Sequence, residues 1–282
     1  LILDCNAFIH RAFHGVDPLI NSEGIPIAVV SGVKQMVLRL FRLFSPITHC
    51  IAVFDPEGPS FRSELYPDYK AQRSPADPLL KEQVPHVHQL FDSLGIPSPV
   101  IEGYEADDVI GSVAKQASKY GIPTYIASND KDLAQLIDSS VSMIVNKNGT
   151  PTVLDEVGVL AKFKVLPNQV IDYLTLIGDV ADNIPGVNKC GPVTAAKWLA
   201  EYGSLQGILD NKESLTGAAG KNFRESLEWL PIAHQLVTVK TDITLGITFA
   251  DMRVANIENN LEKAHDFYRD LELDGHPREW LS

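Results

Sequence analysis

Three shortages in the sequence each exclude a class of protein. Cysteine is scarce: Cys5, Cys50 and Cys190 lie far apart along 282 residues, so they predict neither a disulfide framework nor a cysteine metal site, and we expect a reducing cytoplasm. No apolar run approaches the roughly 20 residues of a membrane span, and no basic leader precedes the first strand-like run, so we expect neither a membrane partner nor a signal peptide. The chain also lacks an initiating Met, so we expect it to be a fragment.

Positive charge is also in deficit. The chain carries 24 Lys and Arg against 36 Asp and Glu, a net charge of −12. That balance argues at first against a nucleic-acid partner, because phosphates repel carboxylates. The argument weakens if many of the acids hold divalent cations, as considered below. A hydrophobic content of 45% is enough for a full core, so we expect a soluble globular protein of one large or two ordinary domains.

Short apolar runs alternate with helical patterns along the first half of the chain. This alternation is typical of a parallel sheet covered by helices. A turn at 146–149 predicts a hairpin, and the second half is largely helical in pattern. The predicted strands are 1–3, 50–54 and 124–127, the hairpin is 141–154, and the predicted helices are 29–44, 79–94, 109–120, 156–163, 167–177 and 192–202.

Acids recur where predicted strands end or helices begin and end. They are Asp4, Asp55, Glu105, Asp107, Asp108, Asp130, Asp132, Asp179 and Asp182. Because the carboxyl ends of parallel strands meet at one edge of a sheet, where ligands bind, we expect these side chains to converge. The plainer alternatives are an acidic first helical turn, worth about 0.3–1 kcal/mol per charge, and acids scattered over the surface. Converging carboxylates would repel one another, so we favour a site for hard divalent cations.

Two further stretches suit nucleic acid. In 61–75, Tyr69 places an aromatic ring beside the cations Lys70 and Arg73, a combination that binds phosphates and stacks on bases. A mobile loop of solvated charges is the alternative. In 178–194, glycines separate two predicted helices, and such a loop exposes N–H groups that favour phosphate. A tight helical hairpin is the alternative there.

Five motifs, in this order, resemble those of the 5′ nuclease family, which includes flap endonucleases and the N-terminal domain of bacterial DNA polymerase I. The motifs are DCNAFIHRA, FDPEGPSFRSELYPDYKAQR, GYEADDVIG, SNDKDLAQL and GDVADNIPGV. The resemblance covers essentially the whole chain. It implies an α/β nuclease domain at 1–176 with a helical arch near 61–80, followed at 177–282 by a helical DNA-binding domain with a helix–hairpin–helix-like element.

The same resemblance implies roles for the motif residues. Asp4, Asp55, Glu105, Asp107 and Asp108 match a first metal cluster, and Asp130, Asp132, Asp179 and Asp182 match a second. Arg11, Lys70 and Arg73 match catalytic basic residues, and the DNA-binding matches are Arg62, Tyr69, Gly186, Lys189, Gly191 and Thr194. The implied cofactors are two Mg²⁺ ions, with Mn²⁺ able to substitute, and a monovalent cation at the helix–hairpin–helix.

The activity that the resemblance implies is Mg²⁺-dependent cleavage of nucleotides or short flaps from 5′ ends, in primer removal and DNA repair. The implied partners are DNA with 5′ ends, flaps or nicks, RNA primer–DNA hybrids, and a polymerase domain linked after this chain. Four positions depart from the family pattern, namely Cys5, Asn129, Lys189 and Val193. Every implied metal ligand is present, so we expect catalysis to be intact, and the two hairpin changes bear on duplex affinity.

Two other functions compete with this one. A haloacid-dehalogenase-type phosphatase also has an Asp after a strand, but it needs a second Asp where this chain has Asn6. It also leaves four acids without a role, namely Glu105, Asp107, Asp130 and Asp132. A catalytically silent DNA-junction binding module would keep the fold and lose the chemistry. The complete set of acids argues against that module.

Overall fold

A five-stranded sheet forms the centre of the computed structural model, which describes residues 1–281. Its strands are β1 (Ile2–Asp4), β2 (Ile51–Val53), β3 (Thr124–Ala127), β4 (Val141–Lys147) and β5 (Thr150–Leu154). In the order β2-β1-β3-β4-β5 the first four strands are parallel, and β5 is antiparallel to β4 as its hairpin partner. The carboxyl ends of β1, β2 and β3 therefore lie side by side at one edge.

Helices cover both faces of this sheet. Those of the first half are α1 (Cys5–Gly15), α2 (Ala28–Leu43), α3 (Phe61–Leu65), α4 (Pro78–Leu94), α5 (Ala106–Lys119) and α6 (Glu156–Phe163). Those of the second half are α7 (Val170–Ile177), α8 (Pro192–Tyr202), α9 (Leu205–Asp210), α10 (Gly217–Glu225), α11 (Leu230–Val237) and α12 (Leu261–Asp270), with a short antiparallel pair β6 (Gly178–Asp179) and β7 (Ile184–Pro185). No helix within residues 1–281 has the length and apolarity needed to cross a bilayer.

The alternation of side chains along the short strands divides the core into two apolar clusters. Successive strand residues point to opposite faces, so Ile2 and Ile51 lie in one cluster while Leu3 and Ala52 lie in the other. The first cluster takes in α5 and the helices from α7 to α11, and the second takes in α1, α2 and α4. The predicted fold class, a helix-covered parallel sheet with a second helical part, is confirmed.

The first cluster continues from Ile2 to Met252, across the boundary expected at 176/177. That boundary falls at the end of α7, and α7 packs on both parts. The two parts therefore share one apolar core, which fixes the helical half against the sheet.

Residues 254–281 differ from the expected arrangement. This segment was expected in the helical domain at 177–282, but it packs on α2 and α4 in the second cluster. Trp280 is fully buried there, with its ring centroid 5.4 Å from that of Phe41 and 6.3 Å from that of Phe91. The segment therefore completes the core of the α/β part, and Ser282 lies outside the described residues.

Two local predictions were also incomplete. No helix was predicted after Asp4, yet α1 begins at the next residue, because the Asp4 carboxylate accepts a hydrogen bond from the backbone N–H of Ala7 at 3.2 Å and caps it. The helical arch expected near 61–80 is not a continuous helix. The chain there forms the five-residue α3, then turns at 66–73 and an irregular stretch before α4 begins at Pro78.

Candidate active site

The ends of β1 and β3 are joined through a single hydroxyl group. Ser128, the residue after β3, donates from Oγ to the Asp4 carboxylate at 2.5 Å and accepts from the backbone N–H of Asp130 at 3.0 Å. Asp130 in turn accepts from the N–H of Asp132 at 2.9 Å. Asp4 and Ser128 are buried, so this chain of hydrogen bonds holds three predicted ligands at one edge of the sheet.

Asp55 ties the end of β2 to the helix that carries the GYEADD motif. One of its carboxylate oxygens accepts from the N–H of Ala106 at 2.7 Å, and the other accepts from the side-chain amide of Asn6. Asp55 therefore lies against the N-terminus of α5, where donor N–H groups favour a negative charge. The same first turn carries Asp107.

The carboxylates at this edge are close enough to perturb one another. Burial raises the pKa of Asp4 to about 6, and the charges of Asp55 and Asp130 add to the rise. Burial also raises the pKa of Asp107 well above its usual range, with Asp130, Asp4, Asp132 and Asp55 contributing. The pKa values of Asp130 and Asp132 are raised in the same way, by burial first and then by neighbouring acids. The structure thus brings these five acids together.

The acids of the β6–β7 turn reach the same region and are paired with basic side chains. Lys131 Nζ lies 3.0 Å from the buried carboxylate of Asp179. Asp182 accepts from Tyr69 OH at 2.9 Å and from Arg73 Nη2 at 2.5 Å. These two acids therefore border the Asp130 and Asp132 side of the cluster, and their charges act on both.

Asp108 does not join the cluster, and its predicted role as a metal ligand is corrected. Its carboxylate is 0% exposed and forms a bidentate ion pair with Arg62, with Nη1–Oδ2 and Nη2–Oδ1 distances of 2.7 and 2.8 Å. It also accepts from the N–H groups of Lys240 at 2.8 Å and Glu105 at 3.1 Å. With both oxygens bound in this way, Asp108 stabilises the fold.

Arg62 and Tyr69 were predicted to contact DNA, and burial rules this out for both. Arg62 is 3% exposed, and its guanidinium also donates to the carbonyls of Leu236 and Thr238, at 2.8 and 2.9 Å. Tyr69 is 6% exposed, packs in the first apolar cluster and donates to Glu105 at 2.8 Å, so its ring cannot stack on a base. Both side chains instead hold acids in place, since Arg62 binds Asp108 and Tyr69 binds Glu105.

The three basic residues predicted to act in catalysis lie near the acids. Lys70 Nζ is 2.6 Å from Glu105, and Arg73 pairs with Asp182 as described. Burial lowers the pKa of Lys70, but Glu105 and Asp182 outweigh it and raise the pKa, so the ammonium stays charged. Arg11, on α1, is half-buried, and the nearby Asp4 carboxylate partly offsets the lowering of its pKa by burial.

The predicted helix–hairpin–helix residues lie between the end of β7 and the first turn of α8. Lys189 is exposed with φ of 65°, a left-handed conformation that glycine adopts more easily. Gly191 is the exposed N-cap residue of α8, and Thr194 is half-buried in the first turn. Gly186 leaves no room for a side chain, because a Cβ there would lie 2.2 Å from the carbonyl carbon of Ile177.

The environment of the acids provides a test of whether they fit divalent metal ions. The donors are all oxygens, which hard cations prefer. Crowding raises several of their pKa values, and Asp132 Oδ1 is buried without a hydrogen-bond partner among residues 1–281. A bound cation would relieve both costs. Within the described chain, however, no three Asp, Glu, His or Cys side chains are already arranged as a ligand set. The donor chemistry fits, and the side chains must draw closer to coordinate.

Sequence reasoning missed several residues that hold the acids in place. Ser128 joins Asp4 to Asp130, Asn6 donates to Asp55, and Lys131 pairs with Asp179. Each stands within two positions of a predicted acid in the motifs DCNAFIHRA and SNDKDLAQL. The available signal was a polar side chain close to the end of a buried strand. The sequence alone could not show which acid each side chain contacts, because Asn6 and Lys131 contact acids in distant segments and Ser128 joins two segments.

Comparison with known proteins agrees with this architecture. Residues 1–164 match the family model of the 5′-3′ exonuclease N-terminal resolvase-like domain, and residues 165–260 match that of the 5′-3′ exonuclease C-terminal SAM fold. A DNA polymerase I from Pseudomonas aeruginosa is 37% identical over 289 residues, which cover 100% of this chain and 31% of the polymerase. A 5′-3′ exonuclease from Aquifex aeolicus is 35% identical over 272 residues, which cover 96% of this chain and 91% of that protein.

Solved structures extend the agreement to the fold. The structure of the T5 5′-exonuclease with bound zinc superposes with a TM-score of 0.68 at 23% identity, covering 96% of this chain and 97% of that one. A T5 flap endonuclease in a complex with DNA and metal ions gives 0.69 at 22% identity, covering 96% and 97%. The chain therefore spans about a third of its polymerase relative and nearly all of the free-standing nucleases.

Proposed function

Because this chain belongs to the 5′-3′ exonuclease family, we propose that it hydrolyses DNA phosphodiesters at 5′ ends and flaps with the help of bound divalent metal ions. The observation that carries the proposal is the convergence of five carboxylates from four chain segments at the carboxyl edge of the sheet. Such crowding costs stability, since the carboxylates repel one another, and a protein keeps it where the charges have a use.

We propose that two Mg²⁺ ions bind there, and that Mn²⁺ can replace them. The residues that would hold them are Asp4, Asp55, Glu105, Asp107, Asp130, Asp132, Asp179 and Asp182. Asp108 is left out because both oxygens of its carboxylate are already bound by Arg62. Bound metal ions supply an activated water and stabilise the charge on the phosphoryl and leaving oxygens.

The chain's own residues would do the remaining work. Lys70 and Arg73 are placed to move from Glu105 and Asp182 onto the phosphate, Lys70 as a point charge and Arg73 as a planar fork. Arg11, which lies near Asp4, would bind a phosphate of the same DNA strand. The N–H groups at Gly191 and the exposed Lys189 would contact duplex phosphates, and the 186–191 loop would hold a monovalent cation.

The proposed substrates are DNA with 5′ ends, flaps or nicks and RNA primer–DNA hybrids, and the proposed setting is primer removal and repair in the cytoplasm. A linked polymerase domain is a further proposal, supported by the name and length of the Pseudomonas relative.

An end-labelled 5′-flap substrate tests the proposal. With Mg²⁺ the chain should shorten the labelled strand, and with EDTA it should not. Asp107→Asn should abolish cleavage while DNA binding persists. Retardation of the flap without shortening in Mg²⁺ or Mn²⁺ would instead establish a catalytically silent junction-binding module.

A further inference from the structure

A groove of about 800 Å³ lies between α1, the residues that follow β2, and α4. Asn6 and Asp55 line it, so it is continuous with the acidic edge of the sheet. Its size is within the range of about 300–1,000 Å³ typical of ligand pockets, and large enough for more than one nucleotide. None of the roles described so far uses this groove.

His88 gives the groove a flat aromatic wall. Its ring stacks on Phe54, with centroids 3.7 Å apart and planes inclined by 24°, and Phe54 is itself buried. His88 is half-exposed and lines the groove. Burial lowers the pKa of His88, which favours the uncharged form of the ring. A neutral ring, held in place by a second ring behind it, is suited to stacking against a flat partner.

The remaining lining is mixed in chemistry. Leu80, Val84 and Pro85 supply apolar surface, while Lys81 and Gln89 supply donors. Asp55 and Glu57 outnumber Lys81 in the lining, so the groove has no excess positive charge that would select a free phosphate. Apolar and aromatic surface with a few hydrogen-bonding groups suits nucleobases.

We propose that this groove binds the unpaired nucleotides on the 5′ side of the cleaved bond, with His88 stacking on one of their bases. The inference rests on the proposed function, and it names a specificity-determining residue for that function. A strand whose phosphate lies at Asp55 enters the groove directly from the acidic edge, because Asn6 and Asp55 line both.

Binding of matched DNA substrates to the full chain tests the proposal. One substrate is a nicked duplex with no unpaired nucleotide, and the other carries a four-nucleotide 5′ flap with 2-aminopurine in place of an unpaired base. With Ca²⁺ in place of Mg²⁺, His88→Ala should weaken flap binding by about 5- to 150-fold, the factor for one lost stacked base, and leave nick binding within about twofold. The quenching of 2-aminopurine should be lost with it, and His88→Phe should restore both.

His265→Ala is the matched control, since His265 is an exposed histidine on α12 and outside the groove lining. It should behave as the unaltered protein does. If His88→Ala unfolds, Lys81→Glu replaces it, because it adds repulsion to the groove at an exposed position. Equal losses on nick and flap, or no loss on either, would overturn the inference. Failure of the unaltered chain to cut any substrate with Mg²⁺ would overturn the proposed function instead, and the two failures are therefore distinguishable.

Discussion

Asp107 and Asp108 are adjacent acids for which the structure predicts opposite effects of the same substitution. Asp108 is buried and bound by Arg62 and two backbone N–H groups, whereas no donor among residues 1–281 binds Asp107. An Asn at 108 keeps one acceptor oxygen but turns its NH₂ group toward N–H donors. Glu105, at 3.1 Å, is then the only carboxylate among residues 1–281 that still pairs with the buried guanidinium of Arg62.

The expected magnitude follows from this difference. Breaking a buried ion pair by removing one partner costs about 3–5 kcal/mol, so Asp108→Asn should lower the free energy of unfolding by that amount. Asp107→Asn removes a charge that its neighbours disfavour, so it should leave the metal-free protein as stable as before or more stable. Urea unfolding in EDTA at pH 7.5 measures both. Added Mg²⁺ or Mn²⁺ should stabilise Asp108→Asn and fail to stabilise Asp107→Asn.

The refuting result is a reversal of this pattern. If Asp108→Asn unfolds at the same urea concentration as the unaltered chain and no longer responds to metal, Asp108 is a ligand and its pairing with Arg62 is dispensable. Arg62→Lys is the control, because Lys cannot make the two-pronged contact and should reproduce the loss of stability without changing the acids.

Three other outcomes follow from the structure. Ser128→Ala removes the hydroxyl between Asp4 and Asp130 and should weaken Mn²⁺ affinity by about 10- to 100-fold in calorimetry, with Ser128→Thr restoring it. Asp4→Asn should raise the metal-free free energy of unfolding at pH 7.5 by up to about 3 kcal/mol and have no such effect at pH 4. The reason is that a pKa raised from 3.8 to about 6 makes the folded state lose stability as pH rises through that window, which urea titrations across pH would show. Trp280→Ala should cost about 3–5 kcal/mol in thermal unfolding while flap cleavage at low temperature persists, because Trp280 fills the cluster behind α2 and α4.

Periodicity and strand ends predicted much of the fold. The β3 strand has its predicted limits, α2 agrees within one residue at each end, and Asp155 caps α6 by accepting from the N–H of Gly158 at 2.8 Å. The position of the site also followed from the rule on parallel strands, because Asp4 and Asp55 needed only the sheet order to be placed together.

The predictions that were wrong concern residues whose contacts come from parts of the chain distant in sequence. Glu105 and Asp108 share a helix face, but only the position of Arg62, 46 residues before Asp108, decides which acid is buried. Tyr69 is an aromatic residue beside two cations, which is typical of a base-stacking surface. Its hydroxyl instead donates to Glu105 and Asp182, and its ring is buried. The return of residues 254–281 to α2 and α4 depends on which apolar surface is still uncovered once the sheet has formed.

The side chain of Arg62 also links the α/β half of the chain to the helical half. One guanidinium grips the carbonyls of Leu236 and Thr238 in the helical half and the carboxylate of Asp108 at the N-terminus of α5. The neighbouring residue in that turn is Asp107. Under the proposed function, a duplex bound to the helical half would therefore be coupled to the acid-bearing turn through this one side chain, and Arg62→Lys should loosen that coupling.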